Sequence, residues 1–133
     1  MGERYLIDTN IAVYYLEYNL PDAVLDFLER ILNQEANLSI ISKIELLVWE
    51  YSTDDEIKKI KDFIKGTTIF LLDNKVAEKT VEIRKNYKLK LPDAIIAATA
   101  IVANLILISR NDVDFEKIHE LKYINPFKMK LNQ

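Results

Sequence analysis

The chain has 133 residues, half of them hydrophobic and 29% charged, and a net charge of −3; this suits one soluble domain with a real core, expected to span residues 1–133. With no cysteine, a single histidine (His119) and only Gly2 and Gly66 as glycines, disulfides, thiolate or multi-histidine metal sites and Gly-rich phosphate loops are excluded. The negative balance also argues against coating nucleic acid through a broad basic field, although a locally basic groove is compatible with it.

In chain order, Tyr5, Leu6 and Ile7 read as a short buried strand that stops at Asp8. Asn10 to Glu17 follows as a short helix capped by Thr9 or Asn10. A second helix opens at Pro21 and carries Val24, Leu25, Leu28, Ile31 and Leu32 at helical spacing. "LSII", residues 38–41, is the next strand, and Ser42 the cap of a helix carrying Ile44, Leu47, Val48 and Tyr51. "STDDEIKKIKDFI", from Ser52, starts a helix with acids first and lysines later, the order the macrodipole favours. "TIFLL" from Thr68 is a strand, followed by a helix from Asp73 to about Tyr87. "LPDAIIAATAIVA" is an alanine-rich helix apolar on nearly every side, "LILIS" from Leu105 a strand, and "KYIN" a short edge strand. No apolar run reaches the roughly 18 residues a spanning helix needs, and "MGERYLID" has no long apolar signal region, so a cytoplasmic protein without membrane contact is expected.

Strands alternating with helices point to an α/β fold whose mainly parallel sheet is covered on both faces. In such sheets the ligand crevice lies beyond the carboxyl ends of the strands. Asp8 stands there, and so do Asn111, Asp112 and Asp114, just past "LILIS". Glu45 falls about one turn beyond "LSII" and, at roughly 100° per residue, between Val48 and Trp49 in the apolar arc of its helix. Asp93 sits at the mouth of a helix buried on most faces. Alone, Asp8 reads as a turn or N-cap acid, Asp93 as a dipole-stabilising residue, Glu45 as a side chain that snorkels to solvent past Trp49, and Asp112 and Asp114 as solvated or capping acids; together they would repel one another unless a cation sat among them. A hard divalent ion such as Mg²⁺ or Mn²⁺, which takes oxygen ligands, fits that need.

In this order and spacing, "LIDTN", "ISKIELLVWE", "LPDAIIAATA", "LISRNDVDF" and the closing "NPF" resemble the PIN-domain ribonucleases, particularly the VapC-type toxins of VapBC toxin–antitoxin pairs. The resemblance implies a PIN-like three-layer α/β/α fold and a Mg²⁺- or Mn²⁺-dependent endoribonuclease acting on single-stranded or loop RNA. It assigns catalytic roles to Asp8, Glu45, Asp93 and Asp114, with metal ligands drawn from Asp8, Glu45, Asp93, Asn111, Asp112 and Asp114. Asp112 is an acid beyond the family pattern, so Asp114 and Asn111 rank ahead of it. Thr9 or Asn10 would orient Asp8. Lys43, Arg84, Lys85, Lys88, Lys90 and Arg110 are candidates for an RNA groove. The resemblance also implies a small antitoxin as partner, and Tyr14, Tyr15, Trp49 and Tyr51 could serve its groove or a homodimer face. The alternatives are an RNA-processing nuclease, a non-catalytic protein-binding module, and a phosphoacceptor receiver domain. The last lacks the expected pair of adjacent acids after the first strand.

Overall fold

The computed structural model describes residues 2–49, 51 and 53–129, and in them β1 (Tyr5–Ile7), α1 (Thr9–Leu16), α2 (Asp22–Gln34), β2 (Asn37–Ser39), α3 (Ile40–Val48) and α4 (Asp54–Lys65) make up the first half. β3 (Thr68–Phe70), α5 (Asn74–Asn86), α6 (Leu91–Val102), β4 (Ile106–Ile108), α7 (Asp112–Phe115) and β5 (Tyr123–Ile124) complete it. Ser52 of the expected fourth helix start lies outside the described residues, and Thr53 caps α4 in a reciprocal capping box with Glu56.

The pairing is parallel throughout. β4 lies between β1 and β5, with Tyr5 opposite Ile106 and Leu107 opposite Tyr123, while β2 pairs with β3, Leu38 opposite Ile69. The strands form two separate ladders, β1–β4–β5 and β2–β3; β2 lies beside β1, where Asn37 Nδ2 donates to the Tyr5 carbonyl (2.8 Å), so in space the strands stand in the order β3–β2–β1–β4–β5. From β1 the chain leaves first toward β2 on one side and returns to β4 on the other. β1 is therefore the topological switch point, and the crevice such a switch opens lies just past Ile7.

Alternation along the strands sorts the core onto two faces. Leu6 and Leu107 pack with Val76 and Ile83 of α5, with α6, and with Phe115. Ile7 and Ile108 face the opposite way, against Ile11, Leu28, Leu46, Ile60 and Ile64. Helices thus cover both sides of the strands, the PIN-like three-layer arrangement expected. α6 is buried from Ala94 through Ala100, its alanines allowing close approach to the elements around it.

Several expected boundaries move by a few residues: α3 ends at Val48, short of Tyr51, and β3 ends at Phe70. Asp8, not Thr9 or Asn10, is the N-cap of α1. β2 ends at Ser39, whose hydroxyl accepts from the Ile41 N–H (3.0 Å), so Ile40 and Ile41 are the first turn of α3 and Ser42 lies inside it. A further difference concerns burial: Ile44, Leu47, Val48 and Trp49 are exposed, and only Ser42 and Leu46 of α3 are buried.

Candidate active site

Asp8 follows β1 immediately and its N–H donates to the Ile108 carbonyl (3.0 Å), continuing the β1–β4 ladder by one bond. Its side chain is 5% exposed. One carboxylate oxygen accepts from the Thr9 N–H (2.8 Å) and the other from the Ser109 hydroxyl (2.7 Å). Burial nonetheless pushes the carboxyl up to about 6 from 3.8, the pull of Ser109 and Thr9 being outweighed, and the negative charges of Asp93 and Glu45 add to the rise.

Glu45 comes from α3, one turn beyond Ser42, and is half-buried. The Thr9 hydroxyl donates to Glu45 Oε1 and stands 2.9 Å from the Ser42 hydroxyl. A threonine at the start of α1 therefore ties α1 to α3 and fixes the glutamate. Asp93, in the first turn of α6, is also half-buried, and its carboxyl is raised by burial, then by the charges of Asp114 and Glu45 and by a side-chain hydrogen bond with Asp114, while Lys90 opposes the shift.

The segment after β4 divides its polar residues between two tasks. Asn111 caps α7; its Nδ2 donates to Asp114 Oδ2 (2.9 Å), and its own N–H donates to the Ser109 hydroxyl (3.0 Å). Asp112 turns elsewhere: Tyr123 and Asn125 donate to one of its oxygens and the Lys128 ammonium pairs with the other. Lys128, then Tyr123, hold the Asp112 carboxyl down to about 2.

Asp8, Thr9, Asn10, Glu17, Glu45, Asp93 and Asn111 line the polar part of a cleft of about 720 Å³, whose remaining wall is Val13, Tyr14, Val48 and Trp49. The structure thus brings Asp8, Glu45, Asp93 and Asn111 to one opening, with Asp114 against Asp93 and Asn111. Glu17 was not among the expected site residues; Asn10, Val13, Tyr14 and Glu17 recur at the three- and four-residue spacing of one helix face, which is the signal that points to it. Ser42 has a similar signal, three residues before Glu45.

The donor set is oxygen only, which suits a hard divalent ion and not a soft one. Asn10 Oδ1 is buried without a hydrogen-bond partner, the kind of orphan acceptor that a cation or an ordered water would satisfy. Among the described residues, no group of three acidic or histidine side chains stands close enough to ligate one ion directly.

A family profile described as a PIN domain matches residues 5–121. Among solved structures, the chain resembles one in a toxin–antitoxin complex from Klebsiella pneumoniae at 29% identity and TM-score 0.73, covering 94% of this chain and 99% of that one. It also resembles one in VapBC2 from Rickettsia felis bound to a DNA fragment from their promoter, at 25% identity and TM-score 0.78, covering 91% and 97%. A chain of DNA-bound VapBC from Salmonella typhimurium shares the fold, with 20% identity, TM-score 0.80 and coverage of 94% and 99%. No curated protein matches the sequence.

Proposed function

The chain belongs to the PIN-domain family, and from that premise we propose that it is a metal-dependent endoribonuclease, the toxin of a type II toxin–antitoxin pair, cleaving phosphodiester bonds in single-stranded or loop RNA. The observation that carries the reading is the meeting of Asp8, Glu45 and Asp93, from three separate parts of the chain, in one cleft at the switch point of the sheet. Carboxylates that repel one another and are desolvated are held together at a cost that a cation would remove.

Asp8, Glu45 and Asp93 would hold Mg²⁺ or Mn²⁺, with Asn10, Asn111 and Asp114 in support. When bound, the ion supplies Lewis acidity, making water a better nucleophile and offsetting charge on phosphate oxygens. The chain's own contribution is orientation. Ser109 and the Thr9 N–H fix both oxygens of Asp8, the Thr9 hydroxyl fixes Glu45, and Asn111 fixes Asp114. The Asp93 carboxyl meets that of Asp114 at the edge of the cleft, where burial and its neighbour's charge raise it above the ordinary carboxylate range. Hydrolysis by water in line with the leaving 3′-oxygen would give 5′-phosphate and 3′-hydroxyl ends.

An antitoxin partner is part of the reading because two relatives were solved as toxin–antitoxin or VapBC assemblies. The surface it would cover is the apolar lip of the cleft, where Val48 is 72% and Trp49 51% exposed. The reading is tested with a mixed-sequence single-stranded RNA carrying fluorophore and quencher, incubated with Mn²⁺, Mg²⁺ or EDTA. Cleavage that needs metal and disappears in Asp93→Asn is expected. Cleavage that persists in EDTA, or in the variant, refutes the assignment.

A further inference from the structure

An electronegative cleft must hold a polyanion, and the side chain best built for that task stands at its rim. Arg110 lies between Ser109, which holds Asp8, and Asn111, which lines the cleft. Its guanidinium carbon sits 4.1 Å from the centroid of the Phe127 ring and 5.4 Å from that of Tyr14, and Nη1 donates to the Tyr14 hydroxyl (3.2 Å). The two rings pack edge to face at 5.6 Å, and Tyr14 itself lines the cleft. Among the described residues Arg110 has no carboxylate within ion-pair distance, although Asp112 and Asp114 follow it closely in sequence.

The acid that would most simply neutralise it is Asp112, two residues on, and Asp112 is occupied by Lys128, Tyr123 and Asn125. The same clasp fixes the turn from Asn125 to Lys128, in which the Phe127 N–H donates to Asn125 Oδ1 (3.0 Å). The acid outside the family pattern thus builds the platform under Arg110 and leaves the guanidinium uncompensated. A guanidinium laid flat on aromatic rings is already ordered, so it loses little freedom on binding and presents its remaining N–H groups as a planar fork suited to phosphate oxygens.

We propose that Arg110, held on Phe127 and Tyr14, is the positioning residue that grips a backbone phosphate of the RNA beside the carboxylate cleft. This rests on the nuclease reading above. The geometry sets one anionic contact at a fixed place relative to Asp8 and Asn111, which registers the strand in the cleft without reading its bases.

The test measures binding of a fluorescein-labelled, mixed-sequence single-stranded RNA by anisotropy in the cleavage-dead Asp93→Asn background, and KM and kcat in the otherwise native chain with Mn²⁺. Arg110→Met keeps the stem on Phe127 and removes the charge; Arg110→Lys keeps the charge and removes the fork; Lys61→Ala removes one charge from the exposed face of α4. Arg110→Met is expected to weaken binding about tenfold or more and to lower the salt slope by about 0.7, the share of one single-strand phosphate. KM rises while kcat stays within a few-fold. Arg110→Lys restores the salt slope but not the affinity, and Lys61→Ala changes neither. If Arg110→Met and Lys61→Ala lose binding equally, the effect is general charge and the proposal is overturned. If the native chain cleaves and Arg110→Met matches it in KM and binding, Arg110 alone is overturned and the nuclease reading survives. If the native chain neither binds nor cleaves RNA, both fall.

Discussion

Replacing Asp8 with asparagine should make the metal-free protein more stable near neutral pH, the opposite of what loss of a buried, doubly hydrogen-bonded residue ordinarily does. Asp8 is held at about 6 in the fold against 3.8 outside it, a gap of about 2 units, and at about 1.4 kcal/mol per unit this amounts to about 3 kcal/mol. The sign follows from proton counting. Between about pH 4 and pH 6 the folded state binds more protons than the unfolded one, so stability falls as pH rises through that window and stays reduced above it. The amide introduced by Asp8→Asn would keep an acceptor for the Thr9 N–H, and the Ser109 hydroxyl can turn to accept from its NH₂ group, while the charge is gone. Thermal melts in EDTA near pH 7.5 should therefore place Asp8→Asn up to roughly 10 °C above the native chain, with the gap closing near pH 4. Saturating Mn²⁺ should raise the native melt by linkage, about 2.7 kcal/mol at a hundred times Kd, and the variant much less. A variant that melts below the native chain in EDTA near pH 7.5 would refute the reasoning, because Asp8 would then carry no uncompensated charge.

Thr9→Val keeps the shape of the side chain and removes the hydroxyl that holds Glu45 and meets Ser42; RNA cleavage should fall about tenfold with the melt changed by only about 1 kcal/mol, measured by initial rates and denaturant unfolding. Ile96 is 1% exposed in α6, so Ile96→Ala should cost about 2–5 kcal/mol through the cavity it leaves, read as a shift in urea midpoint with unchanged slope. The depressed Asp112 carboxyl, held mainly by Lys128, contributes stability above its ordinary value, and that contribution is lost as pH falls from about 4 toward 2. The melting gap between the native chain and Asp112→Asn should thus be full at neutral pH and shrink on acidification; a gap independent of pH would mean packing and not charge.

The parallel α/β order was legible because each strand was bounded by a cap or a proline, and α5 and α6 match their expected spans to within a residue or two. The position of Asp8 followed from the rule that crevices open at strand ends, and that of Asp93 from its place at the mouth of a helix buried on most faces. α3 shows where such reading stops. Its spacing shows that Ile44, Leu47 and Val48 share a side of the helix, but not whether another element covers that side, and they are exposed. The start of α3 was misplaced for a local reason: Ser39 and Ser42 are both competent caps, and the choice is made by where the β2–β3 pairing ends. Asp112 and Asp114 carry the same side chain two residues apart, and only the distant Lys128, Tyr123 and Asn125 separate their roles.

Capping and burial make opposite demands on Asp8, and their sizes decide which explains the residue. A good N-cap contributes about 1 kcal/mol, and Asn or Ser caps about as well as Asp. Holding this carboxylate ionised in a site that is 5% exposed costs about 3 kcal/mol by the shift in its titration. Helix formation alone would therefore favour an uncharged cap at position 8. The surplus cost belongs with that of Asp93, desolvated beside Asp114 and Glu45, and with the unpartnered acceptor of Asn10. A cation drawn into the cleft would relieve all three at once, so residues that weaken the empty fold become the ones that hold the proposed ion.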